Sequence, residues 1–340
     1  MRASVLSEPL RLPLLLTGIS GVAGYNALHY FRQLFPGQVV GIRQRNNWRL
    51  QGEGIEICDA EDDDRLKELF RRHRFGSVLN CAGNCALKSC ELDPVMARRI
   101  NVEGLEKLLP LVADADARFV HLSIDLVFSG TRGGDHLEHD ATDPVTVYGS
   151  TMVEAENLLL RSFPAACALR ISLPMGVSFN GHAGAIDWIQ SRFKHGRPAT
   201  LYYDEIRTPT YTDCLNELFQ LALARHDLTG LYHAGGPRKL SLYQIAQIVN
   251  RVGGYDPDCL RGCSRIDAGP LPPRAGDVTM DSSRLTAALG FAPFDPWPAH
   301  DELVPDHQQW HYDRPTGEIG SPARLAEVLY RNPRRGHCAA

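Results

Sequence analysis

Leu14-Leu-Leu-Thr-Gly-Ile-Ser-Gly-Val-Ala-Gly24 decides how the chain is read. Leu14 to Leu16 form a short apolar run, a glycine-spaced turn follows, and Ala27, Leu28, Phe31 and Leu34 then recur with helical spacing. Strand, glycine turn and helix in that order make a phosphate cradle. Gly18 permits the tight turn, Gly21 lets the backbone close on a pyrophosphate, and Gly24 lets the helix pack against the strand. The helix N-terminus then aims its unpaired N–H groups and positive dipole end at the phosphates. Thr17, Gly18, Ser20, Gly21, Val22 and Gly24 are the first cofactor-binding candidates.

The next strand, residues 38–43, ends where such a unit reads the adenosine ribose, and the residues there are Arg43 and Arg45. A carboxylate at that point suits the two ribose hydroxyls of NAD, whereas a guanidinium fork suits a 2'-phosphate. NADP(H) is the expected cofactor.

Strands and helices continue to alternate. Residues 56–58, 77–80, 118–123 and 166–171 read as strands. Residues 64–74, 96–113 and 145–161 read as helices, the second carrying Asn101 and the third holding Tyr148 in its first turn. This is the pattern of an α/β doubly wound parallel sheet, here a dinucleotide-binding domain over residues 13–174. Residues 175–292 read as a smaller substrate-binding region, with helices at 185–195, 214–224 and 241–252, and about 205–236 returns a strand to the sheet. Residues 253–277, rich in Gly, Pro and Asp, read as loops over a ligand site. Residues 293–340 form a C-terminal extension whose aromatic stretch, Trp297 to Tyr312, is expected to fold back onto the body or into a subunit contact, followed by a helix at 322–330.

Composition narrows the class. A chain of 340 residues, 44% apolar and 22% charged, buries a large core. A net charge of -4 offers nothing to nucleic acid or an anionic membrane. No apolar run approaches the length of a membrane span and no signal peptide is evident, so a cytoplasmic location is expected. The nine cysteines are odd in number and lack zinc-knuckle spacing, which predicts free thiols and no metal.

Further motifs carry a family likeness: Asn80-Cys-Ala-Gly83, Glu91-Leu-Asp-Pro94, Asn101-Val102, Asp125 with Val127-Phe128 and Gly130, Val147-Tyr148-Gly149, Leu169-Arg170, Gly235-Gly236, and Pro273-Arg274 with Leu285 and Leu289-Gly290. Over roughly residues 13–291 the chain resembles the extended short-chain dehydrogenases/reductases, within them the dTDP-4-dehydrorhamnose reductase group and its relative, the regulatory beta subunit of methionine adenosyltransferase. The resemblance adds Asp59, Ala60, Cys81, Ala82, Gly83, Asn101, Ser123, Tyr148 and Ile171 to the cofactor-binding set. It also implies that Lys88, Asp125, Leu126, Arg207 and Arg274 face the substrate, Arg274 as a phosphate anchor.

In that family a tyrosine protonates the carbonyl oxygen while hydride arrives, a lysine four residues later lowers its pKa, and a Ser or Thr polarises the oxygen. Tyr148 keeps the acid. Met152 stands at the lysine position, Ile124 at the hydroxyl position and Leu126 at that of a sugar-facing tyrosine. An ammonium about 5 Å from a phenol, at an effective dielectric near 20, stabilises phenolate by about 3 kcal/mol, so Tyr148 without one is expected to stay near its reference pKa of about 10. Reduction then outlasts oxidation. Lys88 is a candidate replacement cation.

Three readings stay open: an NADP(H)-dependent reductase acting on a nucleotide-linked sugar or similar polar metabolite, a catalytically silent NADP-binding regulatory or scaffold subunit, and an epimerase or lyase. A homo-oligomer and a partner enzyme are both compatible with the sequence.

Overall fold

The computed structural model describes residues 9–59, 62–181, 184–314 and 320–330. β1 (Leu14–Thr17), all four residues buried, is followed by α1 (Val22–Leu34), β2 (Val39–Arg43), β3 (Ile55–Ile57), α2 (Asp63–His73), β4 (Ser77–Asn80), α3 (Leu87–Leu92), α4 (Pro94–Arg98), α5 (Gly104–Asp114), β5 (Arg118–Ile124), α6 (Val147–Ser162) and β6 (Cys167–Ile171). Then come β7 (Pro174–Met175), α7 (Ala185–Lys194), β8 (Ala199–Tyr202), β9 (Ile206–Arg207), β10 (Thr210–Tyr211), α8 (Thr212–Ala224), β11 (Gly230–Ala234), β12 (Leu240–Ser241), α9 (Leu242–Gly253), β13 (Leu260–Cys263), α10 (Ser283–Leu289) and α11 (Pro322–Leu329).

Seven strands form one parallel sheet in the order β11-β6-β5-β4-β1-β2-β3. The chain runs outward from β1 in one direction and from β4 in the other, so the order reverses between them. A crevice at the C-terminal ends of strands opens at such a reversal, which is where open α/β sheets bind ligands. One apolar core joins a sheet face to α1, α8 and α9, and a second joins the other face to α2, α5 and α6.

Local chemistry sets the helix ends. Asp62 caps α2 by accepting from Arg65 N, Asp93 caps α4 ahead of Pro94, and Thr146 caps α6 by accepting from Gly149 N. Ser241 and Gln244 form a reciprocal capping box on α9, which ends at Gly254 in the left-handed region.

Two expected segments differ. Residues 96–113 are helical throughout but not one regular α-helix, because a π turn, Arg99–Glu103, lies between α4 and α5. Residues 253–277 are not all loop, since β13 pairs in parallel with β8, Gly262 lying under the Tyr203 ring. The aromatic stretch of the extension docks on α9. Tyr243 and Gln247 donate to Gln308 O, and the Trp310 ring lies 4.1 Å from the Arg251 guanidinium carbon. Trp297, 0% exposed, donates its indole N–H to Leu329 O in α11.

Among the described residues no helix is long and apolar enough to cross a membrane, no cysteine is bridged in a disulfide, and no three ligating side chains cluster as a metal site would require.

Candidate active site

The glycine turn builds the cradle that its spacing implies. Gly18 has a φ of +63°, and a Cβ there would sit 2.2 Å from the Cys81 carbonyl oxygen. A Cβ on Gly24 would sit 2.4 Å from Gly18 O, which is why α1 can lie so close to β1. Gly21 caps α1 with no side-chain bond, leaving the first-turn N–H groups for a ligand, with buried Val22 behind them.

Thr17, Gly18, Ser20, Arg43, Ala82, Gly83 and Asn101 line one cleft. Arg43 is buried there. Its Nη1 donates to Gln44 O at 3.1 Å, while its Nε is buried without a partner. A dinucleotide fits this donor set: the cavity offers helix N–H groups for a diphosphate and an unspent guanidinium N–H at the ribose end. Cys58 and Leu66 also line it, a pair the sequence did not single out. Arg45 is not among the lining residues. Its exposed side chain turns to Asp59, whose carboxylate also accepts from Arg45 N at 2.9 Å. Ala60 lies outside the described residues.

Asn101 occupies the π turn and bridges two elements. Its Oδ1 accepts from Asn84 N at 2.7 Å and its Nδ2 donates to Thr151 Oγ1 at 2.8 Å, and Thr151 donates in turn to the Tyr148 carbonyl. The extra residue of a π turn often serves such a positioning task. Beneath the cradle, Thr17 donates to Asn80 Oδ1 and Asn80 donates to His121 Nδ1 at 2.9 Å. Burial holds His121 neutral, with its pKa lowered to about 4. The Ser123 hydroxyl is spent inside the core on Glu156, which is salt-bridged to Arg170 at 2.7 Å. Ile171 closes β6, buried.

Tyr148 lies in the first turn of α6 and is 7% exposed. Met152, 3% exposed, follows one turn later on the same helix and packs in one apolar cluster with Tyr148, Leu126, Val127 and Met280, with Ile124 against it. The expectation that Tyr148 stays near its reference pKa is corrected. Burial, reinforced by the neighbouring Cys85 and Asp125 and opposed by Arg207, raises it well above 10. Loss of water around the phenol, more than the missing ammonium, sets this direction.

Asp125 and Arg207 also depart from expectation. Asp125 is fully buried and accepts from Arg207 Nε at 2.6 Å, Arg207 Nη2 at 2.5 Å and Ser172 Oγ at 2.6 Å. Both side chains are spent on each other, so neither offers a free group to a substrate. Glu205, missed by sequence reasoning, extends this network: it lies 3.7 Å from Arg207 and 3.8 Å from Arg274, and burial raises its pKa. Its only sequence signal is a carboxylate two residues before Arg207 on a short strand. Arg274 is partly exposed and lies over the Tyr202 ring. Lys88 is exposed on α3.

Known proteins share this fold and sequence pattern. The model of the RmlD substrate binding domain matches residues 13–305. The chain is 28% identical to dTDP-4-dehydrorhamnose reductase of Mycolicibacterium smegmatis over 245 residues, 71% of this chain and 72% of the relative. It is 28% identical to that of Streptomyces griseus over 293 residues, 84% and 90% of the two chains. It is 24% identical to methionine adenosyltransferase 2 subunit beta of Xenopus laevis over 285 residues, 80% of each. The crystal structure of dTDP-4-dehydrorhamnose reductase from Bacillus anthracis in complex with NADP superposes with a TM-score of 0.71 at 19% identity, covering 85% of this chain and 96% of that one. With the glycine cradle, the seven-stranded parallel sheet and this match over most of its length, the chain belongs to the family of the RmlD substrate binding domain.

Proposed function

We propose that the protein is an NADP(H)-dependent reductase of a carbonyl group on a nucleotide-linked sugar or a similar polar metabolite. The observation that carries this reading is the cradle and its Arg43 Nε, buried without a partner at the end of β2, together with a neutral Tyr148 whose cluster packs Ile124 at the end of β5. Family membership supports it, and the relatives named as dTDP-4-dehydrorhamnose reductases supply the substrate class.

NADPH, when bound, supplies the hydride. The remaining tasks fall to the chain's own side chains. The α1 N-terminus and Gly18 would hold the diphosphate, Arg43 the 2'-phosphate, and Ala82, Gly83 and Asn101 the wall beside them. Tyr148 hands its phenolic proton to the carbonyl oxygen, a step available to a phenol that stays protonated through neutral pH. Asp125 and Arg207 act as a fixed, mutually neutralised pair beneath the site, positioning rather than touching substrate. Arg274 is the side chain left to meet a substrate phosphate.

NADPH oxidation by the full chain with a panel of nucleotide-linked ketosugars tests the reading. Tyr148→Phe should lower the rate at least about 10²-fold. An unchanged rate would remove Tyr148 from the mechanism.

The second reading, a catalytically silent NADP-binding subunit, is favoured by Met152: a thioether packed in apolar surroundings has no charge to lower the Tyr148 pKa. Cofactor binding without turnover of any carbonyl in the panel would favour it.

A further inference from the structure

The start of α1, where the diphosphate is received, is held by more than β1. Asn26, buried one turn into the helix, donates its side-chain N–H groups to Val22 O and to Val177 O, each at 2.7 Å. Val177 lies just after β7, so this amide ties the first turn of α1 to the chain leaving that strand. The far end of the same connection meets α1 again, since a Cβ on Gly184 would sit 3.2 Å from Cγ2 of Val22, the first residue of the helix. Gly184 in turn donates its N–H to Asp187 Oδ2 at 2.9 Å, so the first turn of α7 fixes where it stands.

α7 is itself held from outside. Tyr330 of the C-terminal extension is buried and donates its hydroxyl to Gln190 Oε1 in α7 at 3.4 Å. Burial, then the neighbouring Asp187 carboxylate, raises the pKa of this phenol, so it stays a donor. The stretch that carries Tyr330 is anchored at both ends: Ser321 N donates to Val252 O at 2.9 Å, and Leu329 O accepts the Trp297 indole N–H at 2.9 Å. Tyr330 lies beyond residue 305, where the family match ends, and neither it nor Asp187 lines the cofactor cleft. Extension, α7 and the start of α1 form one chain of contacts.

The first N–H groups of a helix have no intrahelical partner, so a helix start frays. A start that is already fixed spends less of its attraction for an anion on being ordered. We propose that Asp187 and Tyr330 are positioning residues for the cofactor: the extension clamps α7, and α7 seats Gly184 against Val22, so that the first turn of α1 is preset for the diphosphate. The proposal rests on the part of the reading above that places the diphosphate at α1, and it is independent of which carbonyl is reduced.

Calorimetric titration of the full chain with NADP and with adenosine 2'-monophosphate tests it. The smaller ligand carries the phosphate that Arg43 meets but no diphosphate, so it reads the ribose end alone and reports that the body is folded. Asp187→Ala and Tyr330→Leu should each weaken NADP binding about 2- to 10-fold while the affinity for adenosine 2'-monophosphate stays unchanged. Asp187→Asn keeps an oxygen to accept from Gly184 N and should retain most of the NADP affinity. NADP affinity unaltered in both Asp187→Ala and Tyr330→Leu would overturn the inference. A parallel loss for both ligands would overturn it too, because general damage rather than positioning weakens both. If the unsubstituted chain binds adenosine 2'-monophosphate but gains nothing from the diphosphate of NADP, the placement at α1 fails, and this inference fails with it.

Discussion

Arg207 Nε and Nη2 reach the two oxygens of Asp125 at 2.6 and 2.5 Å, joining the end of β5 to β9 across 82 residues of chain. Both side chains are buried and Ser172 donates a further hydrogen bond to the carboxylate. Removing one partner strands a charge in the interior. Asp125→Asn or Arg207→Met should each cost about 3–5 kcal/mol of stability, and the pair Asp125→Leu with Arg207→Met should recover much of that loss. Urea unfolding of the three variants checks this, and a double variant no better than the worse single one would contradict it.

Cofactor preference follows from Arg43. A charge-assisted bond from its guanidinium to a 2'-phosphate should favour NADP(H) over NAD(H) by about 1.5–3 kcal/mol, and Arg43→Ala should erase the difference. Calorimetric titration of both cofactors into both proteins measures it. A preference for NADP(H) that survives the substitution would assign the contact to another side chain.

The pH dependence of reduction follows from Tyr148. Its pKa is raised, so the proton-donating form persists through neutral pH and is lost only well above pH 10. The rate should be flat across neutral pH. Met152→Lys places an ammonium one helical turn away and should bring the alkaline fall down by about two pH units. A profile of NADPH oxidation in which the fall does not move would show that the added charge fails to reach the phenol.

Acid should destabilise the fold through His233, which is buried and neutral. Arg170 Nη1 lies 3.1 Å from its Nε2, and its Nδ1 bonds to His136 O at 2.9 Å. Burial, then the charge of Arg170, lowers its pKa from 6.5 to about 3. The unfolded chain binds the proton first, so stability is full above pH 6.5 and declines as the pH falls toward 3. His121, lowered by burial to about 4, adds to the same slope. Chemical unfolding between pH 4.5 and 6.5, a window above most carboxylate titration, should show this slope reduced in His233→Gln.

The docked extension should be integral to stability. Trp297 is enclosed and hydrogen-bonded, and Trp297→Ala should cost about 3–5 kcal/mol. Truncation after Pro293 should lower the melting temperature further. An unaltered melt in both would mean that the contacts with α9 contribute nothing.

How much of this was legible in the sequence depended on range. Leu14 to Gly24 states strand, turn and helix within eleven residues, and the structure realises all three because the constraint is local: a positive φ at Gly18 and a missing Cβ at Gly24. Tyr148 in the first turn of α6 was equally readable from the run that begins after Thr146. What the sequence did not yield was partnership. Asp125 looks like a group for substrate until Arg207 arrives from another element, and Arg45 looks like a phosphate ligand until Asp59 captures it. The pKa of Tyr148 went astray for the same reason, since burial is contributed by neighbours that the surrounding twenty residues do not name. The π turn hid because the apolar spacing through residues 96–113 reads as one helix, whereas the bulge is set by what Asn101 must reach.

That bulge makes the length of this segment a coded quantity. A π turn holds one residue more than the helix on either side needs, and each residue turns an α-helix by about 100°. Deleting a single residue within Arg99–Glu103 would let α4 and α5 fuse into one regular rod. The flanks would keep their phase, because the surplus residue sits in the bulge, so Leu105, Leu108 and Val112 would stay buried, while Asn101 would lose the backbone step that carries its amide to Asn84 and Thr151. Substitutions here test chemistry. A deletion tests the bulge itself, and here it would uncouple the cofactor wall from the Tyr148 helix while leaving the core in place.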